Sequence, residues 1–187
     1  MADESANLVI LSRDGVINQP SPDHIKTAEE WVPIPGSLEA IARLNHAGFS
    51  VVVATNQPGI GAGLFGISAL NAVHDRFRQE LARVGGHVDA IFFCPHIERD
   101  GCDCRKPRPG LLREIETRYG QPITGVPVIG CSPEDADAAL ACGTQPILVG
   151  DRRRWQWLDD RPDLVSLPTF EDLATATCFL LDAARNA

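Results

Sequence analysis

Five short aliphatic runs alternate with longer amphipathic segments along this chain. Each run stops at a polar turn, and each longer segment repeats its apolar residues every three or four positions, which is typical of helices packed on a sheet. This order predicts a parallel sheet with helices on both faces, a doubly wound α/β fold. The predicted strands cover residues 8–11, 51–54, 90–93, 126–129 and 146–149, and the predicted helices cover 36–48, 68–85, 109–119, 133–141 and 171 onward. Ser68 is the predicted N-cap of the second helix.

Polar residues gather in the turns that follow the predicted strands. Residues 12–14 follow the first strand, 55–57 the second, and 130–132 the fourth, while Arg105 and Lys106 come after the third strand and its loop. Ligands of open α/β sheets bind at the edge where the carboxyl ends of the strands meet. The pattern therefore predicts a phosphate-handling site at this edge.

Composition and charge narrow the function. The 187 residues fit one domain spanning 1–187, and the formal net charge of −8 argues against a nucleic-acid partner, because such binding needs clustered Lys and Arg. No stretch approaches the roughly 20 apolar residues that span a bilayer, and no leader is recognised, so we expect a cytoplasmic protein with no membrane partner. The run 151–162 is read as an exposed loop. Its arginines at 152–154 indicate a solvated face or, as an alternative, a patch for a protein partner.

One cysteine cluster points to a metal. Cys94, His96, Cys102 and Cys104 offer three thiolates and one imidazole within a short loop, a closed set typical of structural zinc. The alternative is a reduced loop in which these four residues are incidental. Cys131, Cys142 and Cys178 are scattered instead, as small buried cysteines usually are.

Four separated motifs carry a family resemblance. They are LSRDGVIN (11–18), ATNQPGI (54–60), CPH…CDCRKPRPG (94–110) and IGCSPED (129–135). In order and correctly spaced, they resemble the D-glycero-D-manno-heptose 1,7-bisphosphate 7-phosphatases and their histidinol-phosphatase relatives, in the haloacid dehalogenase (HAD) superfamily. The resemblance covers about residues 8–150. It implies a HAD-like, Rossmann-like domain with a minimal cap, a zinc loop at about 94–104, a sugar-phosphate ligand and Mg²⁺-dependent hydrolysis of a phosphomonoester.

Two catalytic positions depart from that family. The resemblance places the aspartate nucleophile at Ser12 and the acid/base aspartate at Asp14. It places a magnesium-ligand aspartate at Cys131, with Asp135 matching the later aspartate of the motif. A serine hydroxyl needs a base before it can attack, and a thiol is a poor ligand for the hard Mg²⁺ ion. A magnesium site at Asp14, Cys131 and Asp135 is therefore doubtful.

A phosphate-binding framework remains. Thr55 and Asn56 offer hydrogen-bond donors, and the resemblance assigns Lys106 to balancing phosphate charge and Arg105 to contacting the substrate. Arg13 and Gln57 complete the candidate set of binding residues. As an alternative, Arg105 and Lys106 are solvated loop charges.

Three functions stay open. The first is a zinc-bound, sugar-phosphate-binding relative of these phosphatases with phosphatase chemistry lost or strongly impaired. The second is an active phosphomonoester hydrolase with an unusual site, in which Ser12 or a water attacks. The third is a non-enzymatic partner or regulatory protein. Ser12 is also explained as a simple turn residue. As a further alternative, Ser12 and Cys131 are deliberate substitutions of the family's aspartates. Ala62, which stands where the family has arginine, favours natural divergence instead.

Overall fold

Six parallel strands form one sheet in the computed structural model, which describes residues 7–151, 153 and 155–185. The strands are β1 (Leu8–Leu11), β2 (Ser50–Asn56), β3 (Ala90–Cys94), β4 (Pro127–Gly130), β5 (Gln145–Val149) and β6 (Thr169–Phe170). Their order across the sheet is β3-β2-β1-β4-β5-β6. The chain order reverses at β1, between β2 and β4, so the turn after β1 lies where open α/β sheets bind their ligands.

The helices cover both faces of this sheet. They are α1 (Ser37–His46), α2 (Pro58–Gly61), α3 (Ile67–Arg83), α4 (Gly110–Tyr119), α5 (Pro133–Ala141) and α6 (Leu173–Arg185), with 3₁₀ turns at Glu98–Asp100 and Gln156–Leu158. In the described part of the chain, no helix combines the length and the apolar character needed to cross a bilayer.

Alternation along β1 divides the core into two layers. Val9 and Leu11 pack on the face that carries α1, α3 and α6, whereas Leu8 and Ile10 pack on the face that carries α4 and α5. Successive side chains of a strand point to opposite faces, so a strand covered on both sides is apolar throughout. This arrangement confirms the doubly wound fold predicted from the alternating pattern.

The run 151–162 corrects one prediction. It is not simply an exposed loop, because Trp155 and Leu158 are buried in a cluster with Leu148 and Leu164. The 3₁₀ turn at Gln156–Leu158 brings the two apolar side chains to the same side. Arg152 and Arg154, which belong to the suggested basic patch, lie outside the described residues.

One helix start and two short elements also differ from the sequence prediction. Helix α3 begins at Ile67 after Gly66, so Ser68 is already inside the helix and is not its N-cap. The two-residue strand β6 and the four-residue helix α2 were not predicted. Elements this short have too few residues to show a periodic pattern.

Candidate functional site

The polar turns after β1, β2 and β4 converge with the loop before α4 around a cavity of about 210 Å³. A larger cavity of about 590 Å³ lies at the ends of β5 and β6, but none of the sequence motifs lines it. We therefore place the candidate site at the smaller cavity. Its lining comprises Ser12, Asp14, Thr55, Asn56, Arg105, Lys106, Cys131, Ser132, Glu134 and Asp135.

Ser12 is held between a cation and an anion. Its Oγ donates to Asp135 Oδ1 at 2.5 Å and accepts from Lys106 Nζ at 2.6 Å. The ammonium group also donates to the Ala54 carbonyl oxygen at 2.8 Å and to Asp135 Oδ1 at 2.5 Å. All three side chains are buried. Sequence reasoning placed these residues at one edge of the sheet, but it did not identify Asp135 as the partner of Ser12.

Asp135 has both carboxylate oxygens fully engaged. Besides Ser12 and Lys106 on Oδ1, the Cys131 N–H and the Ser132 hydroxyl donate to Oδ2, each at 3.0 Å. A carboxylate has about four acceptor sites, and four are occupied here. Burial alone would raise the pKa of this carboxyl group, but the charge and hydrogen bond of Lys106, helped by Ser12, hold the pKa below its ordinary value.

Cys131 is a protonated thiol at neutral pH. Burial raises the pKa of this thiol to about 12, and the negative charge of Asp135 contributes in the same direction. The thiol donates to the Asp14 carbonyl oxygen at 3.4 Å. It also packs against Gly15, where φ is +81° and an added Cβ would lie 2.5 Å from the sulfur. The geometry of Cys131 is therefore that of a packed side chain and not of a reactive thiol.

Asp14 is held by donors from three segments. Arg13 Nη2 donates to both of its carboxylate oxygens, at 3.0 and 3.1 Å. Asn18 Nδ2 donates to Oδ1 at 2.9 Å, and Gln57 Nε2 donates to Oδ2 at 2.8 Å. The side chain of Asp14 remains 31% exposed, so it is still accessible from the cavity.

His74 lies behind this carboxylate and was assigned no role from sequence. Its Nε2 lies 3.1 Å from Arg13 Nη1. Burial lowers the pKa of His74 to about 3, and the positive charges of Arg13 and Arg78 lower it further. The neutral ring therefore accepts a hydrogen bond from Arg13, whose side chain is almost fully buried.

Three of the residues predicted to bind phosphate are engaged by other protein groups instead of facing the cavity with free donors. Arg13 and Gln57 are buried against Asp14, and Asn56 holds the Lys106 backbone by accepting from its N–H at 3.1 Å and donating to its carbonyl at 3.0 Å. Thr55 borders the cavity, and its hydroxyl accepts from Gln57 Nε2 at 2.9 Å. As a donor, this hydroxyl makes only long 3.5 Å contacts to Asp14 and to the Asn56 carbonyl.

Arg105 differs from these residues. It lines the cavity, and its Nη1 is buried without a hydrogen-bond partner in the described part of the chain.

The four residues of the cysteine cluster come together as the sequence predicts. Their ligand atoms all lie within 4.8 Å of one another. The Cys104 sulfur is 3.3 Å from both the Cys94 sulfur and His96 Nδ1, and 3.5 Å from the Cys102 sulfur. Tetrahedral zinc with bonds of about 2.3 Å separates thiolates by roughly 3.8 Å. This donor set fits a structural zinc ion, and it leaves no open ligand position.

The cluster also fixes the loop that carries the basic pair. Arg105 and Lys106 follow Cys104 directly, and the Gly61 N–H of α2 donates to the Pro95 carbonyl at 2.8 Å on the other side of the loop. A Cβ at Gly61 would lie 2.7 Å from the same carbonyl oxygen, so this close approach requires glycine.

Sequence reasoning missed three supporting residues besides the Asp135 contact. Asn18 donates to Asp14 directly, and His74 accepts from Arg13, which in turn donates to Asp14. Ser132 caps α5 by accepting from the Asp135 N–H at 3.2 Å. The segment Ser132–Asp135 carries a usable signal, a serine followed three residues later by an acidic residue at a helix start. The other two carry no local pattern.

A doubly wound parallel sheet with this cleft at its carboxyl edge is the architecture of the HAD class of phosphatases. A comparison with protein-family models gives no match. A curated D-glycero-β-D-manno-heptose-1,7-bisphosphate 7-phosphatase from Pseudomonas aeruginosa is 48% identical over 177 residues, covering 95% of this chain and 99% of that protein. The chain belongs to this heptose bisphosphate phosphatase family of the HAD superfamily.

Solved structures agree with this assignment. The D,D-heptose 1,7-bisphosphate phosphatase from Bordetella bronchiseptica, complexed with magnesium and phosphate, matches with a TM-score of 0.89 and 46% identity, covering 94% of this chain and 98% of that chain. The corresponding phosphatase from Burkholderia thailandensis matches with a TM-score of 0.68 and 39% identity, covering 93% and 97%.

Proposed function

We propose that this protein is a single-domain, sugar-phosphate-binding member of the family whose phosphatase activity is strongly impaired. The observation that carries the proposal is the environment of Ser12, whose hydroxyl is engaged by both Lys106 and Asp135. The relatives that share the fold act on heptose 1,7-bisphosphate according to their names, so a sugar phosphate is the ligand class we assign to the cleft.

Ser12 lacks an effective base. A neutral hydroxyl becomes a good nucleophile only when a neighbouring group removes its proton. Asp135 is the group to which the hydroxyl donates, but the pKa of Asp135 lies below its ordinary value because Lys106 stabilises the carboxylate. Such a weak base leaves the proton on Ser12. Attack on phosphorus from this position is therefore slow.

The residues present do not fit the magnesium site that the family implies. Ser12 and Cys131 offer a neutral hydroxyl and a thiol of pKa about 12, and Asp135 has its four acceptor sites occupied. Mg²⁺ requires near-octahedral oxygen ligation and usually one or two free carboxylates. The electrostatic stabilisation that such an ion gives to a transferring phosphoryl group is not available from this donor set.

The cysteine cluster supports a second part of the proposal. Cys94, His96, Cys102 and Cys104 would hold one structural zinc ion. Bound there, zinc would supply a rigid cross-link with no catalytic chemistry. The cluster would then keep Arg105 and Lys106 at the cleft.

An active hydrolase is the second candidate, and one observation favours it. The Ser12 hydroxyl points at a carboxylate only 2.5 Å away, which is the contact a base-assisted serine would need. In that case the wild-type protein would turn over without any substitution.

The test compares phosphate release from D-glycero-D-manno-heptose 1,7-bisphosphate with Mg²⁺ by three proteins. They are the wild type, the double variant Ser12→Asp/Cys131→Asp, and the matched variant Ser12→Asn/Cys131→Asn, which has similar shape without the charges. We expect turnover from the aspartate variant alone, at least 100-fold above the other two. Wild-type turnover within tenfold of the aspartate variant would overturn the proposed impairment.

A further inference from the structure

The cleft neutralises its own carboxylates. Asp135 pairs with Lys106 at 2.5 Å and Asp14 pairs with Arg13 at 3.0 Å, so each buried or half-buried anion already has a cation from the same chain. In a phosphatase with four carboxylates at these positions, two further negative charges would occupy the places of Ser12 and Cys131. Those charges would repel a phosphate dianion, and a divalent cation normally offsets this repulsion. Here that repulsion does not arise.

One donor atom of a cleft cation has no hydrogen-bond partner among the described residues. Arg105 Nη1 is buried there and donates to no carboxylate or carbonyl oxygen. A buried donor without a partner destabilises the folded protein, so the position of this atom is best explained by a ligand that completes it. Guanidinium groups match the geometry of phosphate oxygens through paired N–H donors.

The position of Arg105 relative to the other groups suits a phosphate monoester. It borders the cavity shared with Ser12, Thr55 and Lys106, and also two adjoining cavities of about 240 Å³ each. Lys106 uses its three donors inside the protein, so it contributes charge and not a direct hydrogen bond. Glu134 is an opposing charge at the rim, but it is exposed and therefore screened.

We propose that this cleft binds the phosphate group of a monoester without a divalent cation, with Arg105 as its principal anchor and the Thr55 hydroxyl as a second donor. The proposal rests on the sugar-phosphate-binding function above and adds the mode of recognition. It predicts that Mg²⁺ leaves affinity unchanged in the wild type. Restoring aspartates at positions 12 and 131 makes binding depend on Mg²⁺.

Isothermal titration with inorganic phosphate tests this mode. The wild type, with its zinc content verified, is titrated in buffer passed over a chelating resin, with and without 5 mM Mg²⁺, which is roughly the range that saturates weak magnesium sites. We expect the two dissociation constants to agree within twofold. In Ser12→Asp/Cys131→Asp, Mg²⁺ should tighten binding at least tenfold.

Two arginine variants identify the anchor. Arg105→Gln should weaken phosphate binding at least tenfold, whereas Arg99→Gln removes an equal charge from an exposed position on the same loop and should change it less than twofold. Equal losses in the two variants would show that only the net charge matters and would overturn the role of Arg105.

The outcomes separate this inference from the proposed function. Wild-type binding that appears only with Mg²⁺ overturns the inference and leaves the sugar-phosphate ligand in place. Cation-free binding together with rapid hydrolysis supports the inference and overturns the proposed impairment. No phosphate uptake in either buffer by folded, zinc-containing protein overturns both.

Discussion

At the scale of single residues, Ser12 and Cys131 stand where the family resemblance places aspartates, and the surrounding side chains accommodate both. Ser12 and Cys131 are each satisfied by neighbours, Ser12 by Lys106 and Asp135 and Cys131 by the Asp14 carbonyl. Neither is left as an unpaired polar group that would destabilise the fold. The substitutions are therefore compatible with a well-packed site.

The pairing of Arg13 with His74 predicts a pH dependence of stability. The folded protein keeps His74 unprotonated down to a pKa of about 3, whereas the unfolded chain binds the proton near 6.5. Unfolding therefore takes up a proton between these values, and stability falls as the pH drops below 6.5, by about 1.4 kcal/mol per pH unit. Arg13 and Arg78 add to this effect, and Asp14 opposes it.

Urea unfolding at pH 6.5 and pH 5 measures this contribution. His74→Gln keeps a neutral acceptor for Arg13, so it should lose about 2 kcal/mol less than the wild type over that interval. His87→Gln, at an exposed histidine, should behave as the wild type does. Equal losses in the wild type and His74→Gln would contradict the assignment of a neutral, buried His74.

At the scale of elements, the regular strands and helices were predictable and the irregular ones were not. The apolar runs locate β1 to β5. A strand covered on both faces, such as β1, is apolar throughout, and the half-buried edge strand β3 still shows an apolar run. Helix α3 shows the limit of this prediction, since Ser68 has the chemistry of an N-cap but the observed N-cap lies two residues earlier, at Gly66. The prediction of an exposed loop at 151–162 was wrong because it rested on the many charged residues of this segment. Trp155 and Leu158 lie among those charges and pack into the core.

The loop 94–104, which we propose holds zinc, leads directly into the basic pair Arg105 and Lys106. Replacing Cys104 removes the ligand whose sulfur lies within 3.5 Å of the other three ligand atoms. We expect Cys104→Ser to lower zinc to well below one ion per chain by plasma mass spectrometry. It should also reduce the midpoint of thermal unfolding by several degrees, because metal binding stabilises only the folded loop.

Cys178→Ser serves as the control for this loss. Cys178 is exposed and stands outside the cluster, so the variant should keep both its zinc and its thermal stability. Wild-type protein prepared without chelators and carrying no zinc would show that the four ligands are incidental.

At the scale of the whole molecule, sequence motifs located the site better than they described its contacts. The turns after β1, β2 and β4 meet at the switch point of the sheet, as the order of elements predicts. The bond between Ser12 and Asp135 joins residues 123 positions apart, and that between Arg13 and His74 joins residues 61 apart. No local pattern encodes such contacts, so only the folded chain reveals that Asp135 and Arg13 are already occupied.

We propose that the intact molecule binds a sugar phosphate and leaves it uncleaved. Phosphorus NMR of heptose 1,7-bisphosphate with a stoichiometric amount of wild-type protein and Mg²⁺ observes binding and hydrolysis together. We expect at least one ester resonance to broaden or shift while no inorganic phosphate appears over many hours. Rapid growth of the inorganic phosphate signal, or ester resonances that remain unchanged by the protein, would contradict this proposal.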